Sequence, residues 1–140
     1  MDKDFKILIE EAKKIVGEVL FYPYGKKGTC ACALLTDKGN IYSGIAMDFN
    51  LNGLGCCAEQ AAILSMLKHN EFRILKIVTL KTIPPESGDI DYVIYSPCGK
   101  CRELIRMVHA DNIETLALVN SQDAKTIKEL LPDMWVKKPT

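Results

Sequence analysis

Two short cysteine motifs constrain this chain more than any other feature. Cys98-Gly99-Lys100-Cys101 follows Ser96-Pro97, where a short apolar run, Tyr92 to Tyr95, gives way to an amphipathic stretch ending near His109. Pro97 sits where proline suits a helix start. Both sulfurs then fall in a first helical turn, where unpaired N–H groups and the positive end of the helix dipole favour thiolate. Alone, such a C-x-x-C is half of a metal site or a thioredoxin-like redox pair. Cys56-Cys57-Ala58-Glu59 also opens a predicted helix, after the Asn- and Gly-containing loop Asn50 to Gly55. If two adjacent parallel strands feed these helices, both N-termini project at one sheet edge. Cys57, Cys98 and Cys101 can then converge on one ion. Zinc suits sulfur ligands in tetrahedral geometry, and a catalytic zinc keeps one of its four positions open. Glu59 is too close to Cys57 along the chain to be a fourth ligand without crowding. It can face the open position as a proton carrier.

Whether six cysteines mean disulfides depends on where the chain works. The 140 residues fit one domain, residues 1–140. The 18 basic residues balance 18 acidic ones, which leaves no electrostatic footprint for duplex DNA or an anionic membrane. No apolar run approaches the ~20 residues that span a bilayer. Met1 to Lys6 is charged and lacks the apolar region of a signal peptide. These features predict a cytoplasmic chain, where disulfides rarely persist. Its cysteines then bind metal, do redox chemistry or pack as small hydrophobes. Cys30 and Cys32 lie two apart in the apolar run Thr29 to Leu35 and so share one face of a strand, which reads as core.

Periodicity supplies the frame. Phe5, Leu8, Ile9, Ala12, Ile15, Val16 and Val19 mark an amphipathic helix from Asp4, its N-cap, to Leu20. Gly25 to Gly28 reads as a loop. Thr29 to Thr36 and Ile41 to Met47 form a hairpin around Asp37-Lys38-Gly39-Asn40. A helix from Cys57 to Lys68, a strand from Ile74 to Lys81 and a Pro-containing loop from Thr82 to Asp89 follow. Then come a strand from Tyr92 to Tyr95, a helix from Cys98 to His109, a strand from Glu114 to Val119 and a helix from Ala124 to Leu131. This order predicts an α/β fold: a three-layer α-β-α arrangement around a mixed sheet of about five strands. His69 and His109 fall at helix ends, where histidine suits the dipole.

Cys57-Ala58-Glu59 and Pro97-Cys98-Gly99-Lys100-Cys101-Arg102 together resemble the signature of the zinc-dependent nucleobase and nucleoside deaminases. They are most similar to the small three-cysteine cytidine deaminases. So is Leu130-Leu131-Pro132, followed by Trp135. The resemblance implies a cytidine deaminase-like fold. It implies one Zn2+ per chain held by Cys57, Cys98 and Cys101, with Glu59 carrying the proton and the Ala58 backbone holding the ring edge. It further implies a small nucleoside-like substrate, a homotetramer or dimer, and a Trp135 that covers a neighbouring subunit's site or packs in the core. Arg102 can offset part of the thiolate charge.

Three departures bear on substrate. Gln60 stands where those enzymes follow Cys-Ala-Glu with arginine. Ala46-Met47-Asp48 stands where they carry Asn-x-Glu for the ribose hydroxyls, so Ala46 and Asp48 become the substrate-binding candidates. Lys26-Lys27-Gly28 stands where they place a ring-stacking phenylalanine, with Tyr24 nearby. Blasticidin S deaminases resemble this pattern, keeping the metal motif while altering the ribose residues. The expected activity is deamination of cytidine or deoxycytidine. The alternatives are a blasticidin-type or other modified heterocycle, a non-catalytic zinc-binding module, and last a dithiol reductase. Lys26 and Lys27 are a solvated loop or a contact for an acidic substrate group.

Overall fold

The computed structural model describes residues 1–83 and 91–135. The first apolar stripe forms α1 (Lys3–Lys13), which buries Phe5, Leu8, Ile9 and Ala12. The helix is shorter than its pattern suggested. Its cap is Asp2, whose carboxylate accepts the Asp4 N–H at 2.7 Å. Gly17 ends the regular turn at φ 148°, and Val19–Phe21 becomes strand β1. The expected loop at Gly25 to Gly28 is instead the start of the long strand β2 (Gly25–Thr36), which pairs antiparallel with β1. Gly28 makes this possible. It adopts φ +79°, and a Cβ there would lie 2.1 Å from the Gly17 carbonyl oxygen.

β3 (Ile41–Phe49) completes the predicted hairpin with β2. β4 (Ile74–Thr82) lies antiparallel to β2 on the other side, and β5 (Tyr92–Tyr95) antiparallel to β4. β6 (Leu116–Leu118) runs parallel to β4. The five expected strands are thus present in a mixed sheet. β1 and a short β7 (Ala124–Thr126) bring the described strands to seven. β7 takes the first residues of the last expected helix because they pair with β6. Thr126 then caps α4 (Ile127–Leu130) through a capping box with Glu129. Pro84, Pro85 and Gly88 of the predicted loop lie outside the described residues.

Strand alternation divides the core. Ala31, Ala33, Val78 and Leu80 face α1. Cys32, Leu34 and Ile77 face α2 (Ala58–Lys68), α3 (Gly99–Val108) and α4. The result is the expected three layers. Cys30 and Cys32 share the second face, and Cys32 is fully buried.

Two contacts set the layer that carries the cysteine helices. At Gly44 of β3 a Cβ would lie 2.3 Å from the Ala62 nitrogen and 2.7 Å from the Ala61 Cβ, so α2 rests directly on the strand backbone. Asn112 lies in a 3-10 turn (Ala110–Glu114) after α3. Its amide donates to the carbonyls of Ile105 and Phe72, each at 3.0 Å, and its oxygen accepts the Ile74 N–H at 2.9 Å. It thereby ties the end of α3 to the start of β4.

The segment between α2 and β4 is closed by Glu71. Its carboxylate accepts from Thr36 Oγ1 at 2.6 Å, from Asn40 Nδ2 at 2.9 Å and from the Tyr42 hydroxyl. The Thr36 and Tyr42 hydroxyls, in that order, hold its carboxyl below the usual 4.5.

Gly44→Ala is expected to destabilise the fold by about 1–3 kcal/mol through overpacking, read as a Tm lower by several degrees. An unchanged Tm would show that α2 does not depend on this contact. Because folding depresses the Glu71 pKa, its contribution is fully present above about pH 4.5 and fades as pH falls through the lower folded value. The gap in Tm between wild type and Glu71→Gln should therefore be wide at pH 7 and close in acid. A gap that is independent of pH rejects the ionised network.

Candidate metal centre and catalytic cavity

Cys57 and Cys98 hold equivalent places. Each is the N-cap residue of its helix in extended backbone, and neither sulfur caps its own helix. Cys101, one turn into α3, is fully buried. The three Sγ atoms lie within 4.8 Å of one another, with Cys57 and Cys98 3.9 Å apart. Two sulfurs on a tetrahedral centre with bonds of about 2.3 Å stand roughly 3.8 Å apart, so the spacing suits zinc. Cys56 stands outside this group.

The route to convergence differs from the expected one. The strands that lead into α2 and α3 are neither adjacent nor parallel. β2 and β4 separate β3 from β5, and three successive antiparallel pairings make β3 and β5 antiparallel. Instead, the chain after β3 doubles back. Met47 and Cys56 exchange backbone hydrogen bonds of 3.1 and 3.0 Å, which returns Cys57 over the sheet. The helix starts meet above a floor of four strands.

Burial pushes the Cys57 thiol up, and the neighbouring Cys98 sulfur adds to the rise. Burial also raises Cys101 strongly, helped by the negative charge of Glu59. Burial opposes ionisation of Cys98 as well, but there it is outweighed. The Cys101 backbone N–H and the two flanking thiols hydrogen-bond its sulfur and bring it below 9.0. Three sulfurs this close can all be thiolates only with a cation among them. Arg102 follows Cys101 on α3. Its guanidinium donates to the Pro97 carbonyl at 2.7 Å, to Ser96 Oγ at 3.0 Å and to the Leu130 carbonyl at 3.2 Å. Among the described residues it forms no salt bridge.

Glu59 is 5% exposed and lines a cavity of about 380 Å³ with Cys57 and Cys98. Ala46, Asp48 and the helix-opening Ala58 line it too, so every predicted substrate contact reaches this space. Gln60 does not. It lines a larger neighbouring groove with Met47, Leu54 and Leu64, and therefore does not stand in for an arginine at the sulfurs. Lys26 and Lys27 are strand residues rather than loop. Lys26 lies 3.8 Å from Glu18, and Lys27 lines the same groove as Gln60. Tyr24 is exposed and outside the cavity. Both histidines serve helix ends. The His69 ring nitrogen meets the Ser65 carbonyl at 2.9 Å, and His109 Nδ1 accepts the Asp111 N–H at 3.0 Å.

Thr29, Cys30, Thr79, Tyr95 and Ser96 also line the cavity. The sequence reading passed over them as site residues. A hydroxyl in the otherwise apolar end of Ile74 to Leu80 was the available signal for Thr79.

Residues 6–117 match the family model described as the cytidine and deoxycytidylate deaminase zinc-binding region. The chain belongs to this family. The expected enzyme class, a hydrolase acting on the C–N bond of a cyclic amidine, is that of a deaminase family. A blasticidin-S deaminase of Bacillus cereus is 29% identical over 100 residues, 71% of each chain. A cytidine deaminase of Sporosarcina psychrophila is 27% identical over 137 residues, covering 96% of this chain and 93% of that one. The fold is that of the crystallised cytidine deaminase from Mycobacterium tuberculosis, with a TM-score of 0.72, 22% identity, and coverage of 97% of this chain and all of that one.

Proposed function

We propose that the protein catalyses zinc-dependent hydrolytic deamination of an aminopyrimidine nucleoside, cytidine or deoxycytidine, with release of ammonia. The observation that carries this reading is a buried carboxylate, Glu59, sharing one cavity with sulfurs gathered at two helix starts. Cys57, Cys98 and Cys101 would hold one Zn2+. When bound, zinc supplies Lewis-acid activation of water at neutral pH. Glu59 accepts one proton from the attacking water and delivers it to the ring nitrogen, then carries the water's second proton to the departing amine, which leaves as ammonia while the carbon keeps the oxygen as a carbonyl. The Ala58 backbone, at the helix start, holds the ring edge. Ala46 and Asp48 line the sugar side of the cavity. Arg102 and the two helix N-termini offset part of the net negative charge that three thiolates leave around a divalent ion.

A second substrate, of blasticidin S type or another modified aminated heterocycle, is favoured by Ala46. An alanine there offers no side-chain hydrogen bond to a ribose hydroxyl. The partial identity to a blasticidin-S deaminase points the same way.

We also infer a homotetramer in the cytoplasm. Exposed Phe21, Met47 and Leu54 surround a groove together with Leu64, which is 68% exposed on the outer face of α2. Trp135 is 63% exposed and so is not core in this chain. None of the six cysteines is joined in a disulfide, which fits a reducing compartment. No described helix is long and apolar enough to cross a membrane.

Purified protein should carry about one zinc per chain and release ammonia from one member of a panel of cytidine, deoxycytidine, cytosine, aminated purines and pyrimidine antibiotics. Glu59→Gln should keep the zinc and lose about 10²–10⁴-fold in kcat. Full activity in that variant removes the proton-carrier role. Cys56→Ser should leave the zinc in place, and loss of metal there would indicate a closed structural site. Sedimentation should give a four-chain particle that Leu64→Glu dissociates. A monomeric wild type rejects the assembly.

A further inference from the structure

Across the face of the sheet that carries the site, the register lines up Gly44, Cys32, Thr79 and Tyr95 on four successive strands. Thr79 and Tyr95 of this row line the cavity. Thr79 is 5% exposed, and its hydroxyl meets no strong hydrogen-bond partner, only the weak one offered by the adjacent Cys32 thiol. Buried hydroxyls are nearly always bonded, and one left unmade costs about 1–3 kcal/mol. Valine has the same branched shape, suits a strand equally well and carries no such cost. The neighbours across the two strand pairs are Cys32, whose thiol is at best a weak acceptor, and Tyr95, which is 45% exposed. Thr79 lines the same cavity as Glu59 and Cys57.

We propose that Thr79 is a substrate-binding and specificity-determining residue, its hydroxyl bonding a polar atom on the buried edge of the heterocycle. This rests on the deaminase reading above and adds a selection rule. The substrate must carry a ring nitrogen, carbonyl or second amino group on the edge that reaches the floor, in addition to the amine it loses. A hydroxyl can donate or accept, so Thr79 selects for the presence of such an atom and tolerates either polarity. A site built around that bond discriminates against a ligand lacking the atom, because the hydroxyl then stays unpaired.

The test compares zinc-loaded wild type, Thr79→Val and Thr79→Ser by thermal unfolding and by steady-state ammonia release. Thr79→Val should unfold at the same or a higher temperature than wild type, yet lose about five- to a hundredfold in kcat/KM, the cost of leaving the substrate's polar atom buried and unpaired. Thr79→Ser should keep most of the kcat/KM. An unchanged kcat/KM in Thr79→Val overturns the proposal. So does a lowered Tm in that variant, which would mean that the hydroxyl serves the protein itself. A wild type silent on every heterocycle overturns the deaminase reading instead. The Tm shift conferred by cytidine then decides for Thr79: a smaller shift in Thr79→Val than in wild type supports it, and an equal shift or none at all overturns it.

Discussion

The seating of α2 on β3 governs where everything else in the site can be. At Gly44 the helix approaches so closely that a Cβ would meet the Ala62 nitrogen at 2.3 Å. The small residues Ala61 and Ala62 let backbone meet backbone, which fixes the height of the helix above the sheet. Cys57 and Glu59 both lie in its first turn, so the depth of one sulfur and of the carboxylate follows from that contact. α3 is fixed independently at both ends. Asn112 anchors its C-terminal end to β4. At its start, the Arg102 guanidinium holds the Pro97 carbonyl and the Ser96 hydroxyl. Each helix is thus registered against the sheet, and the sulfurs meet because both registrations refer to the same four strands.

Electrostatics then sets what such a meeting can hold. Burial alone works against thiolate at all three cysteines, and Glu59 adds negative charge to the same small volume. The start of α3 supplies partial compensation at Cys98, whose sulfur receives the Cys101 N–H. The remaining demand is for a cation. Glu59 lies beside the cluster without belonging to it and lines the cavity next to the sulfurs.

Much of this was legible in the sequence, for identifiable reasons. The C-A-E and P-C-x-x-C motifs carry their own local structure, because a cysteine at a helix cap has few places to point. The two-residue spacing of Cys30 and Cys32 placed both on one core-facing side of β2, as found. What could not be read depends on contacts between distant segments. The early end of α1 follows from Gly17 meeting Gly28, a non-local pairing that overrides the apolar spacing of Ile15, Val16 and Val19. The antiparallel route to the metal cluster depends on the Met47–Cys56 bridge, formed by a loop with no periodic signal. Gln60 was weighed as a neighbour of the thiolates because it follows Glu59, but one residue along a helix is about 100° around it, enough to send its side chain into the adjoining groove.

That rotation separates the two halves of the site. The groups suited to bond cleavage, Cys57, Ala58, Glu59, Cys98 and Cys101, sit on helix starts. Thr29, Cys30, Ala46, Asp48, Thr79 and Tyr95, which line the rest of the cavity, sit on strands. The closest seat of α2 on the strand floor is the β3 backbone at Gly44, two residues before Ala46. Ala46 removes a hydrogen-bonding group from one wall and leaves Asp48, whose ionised carboxylate accepts and cannot donate. A ligand portion held there must bring its own donors, hydroxyl or amine, to a wall that is otherwise small and apolar. Of the departures from the deaminase pattern, Ala46 and Asp48 therefore fall on the strand side of this cavity, while Gln60 on α2 and Lys27 line the adjoining groove, and the arrangement of sulfurs and carboxylate stays intact.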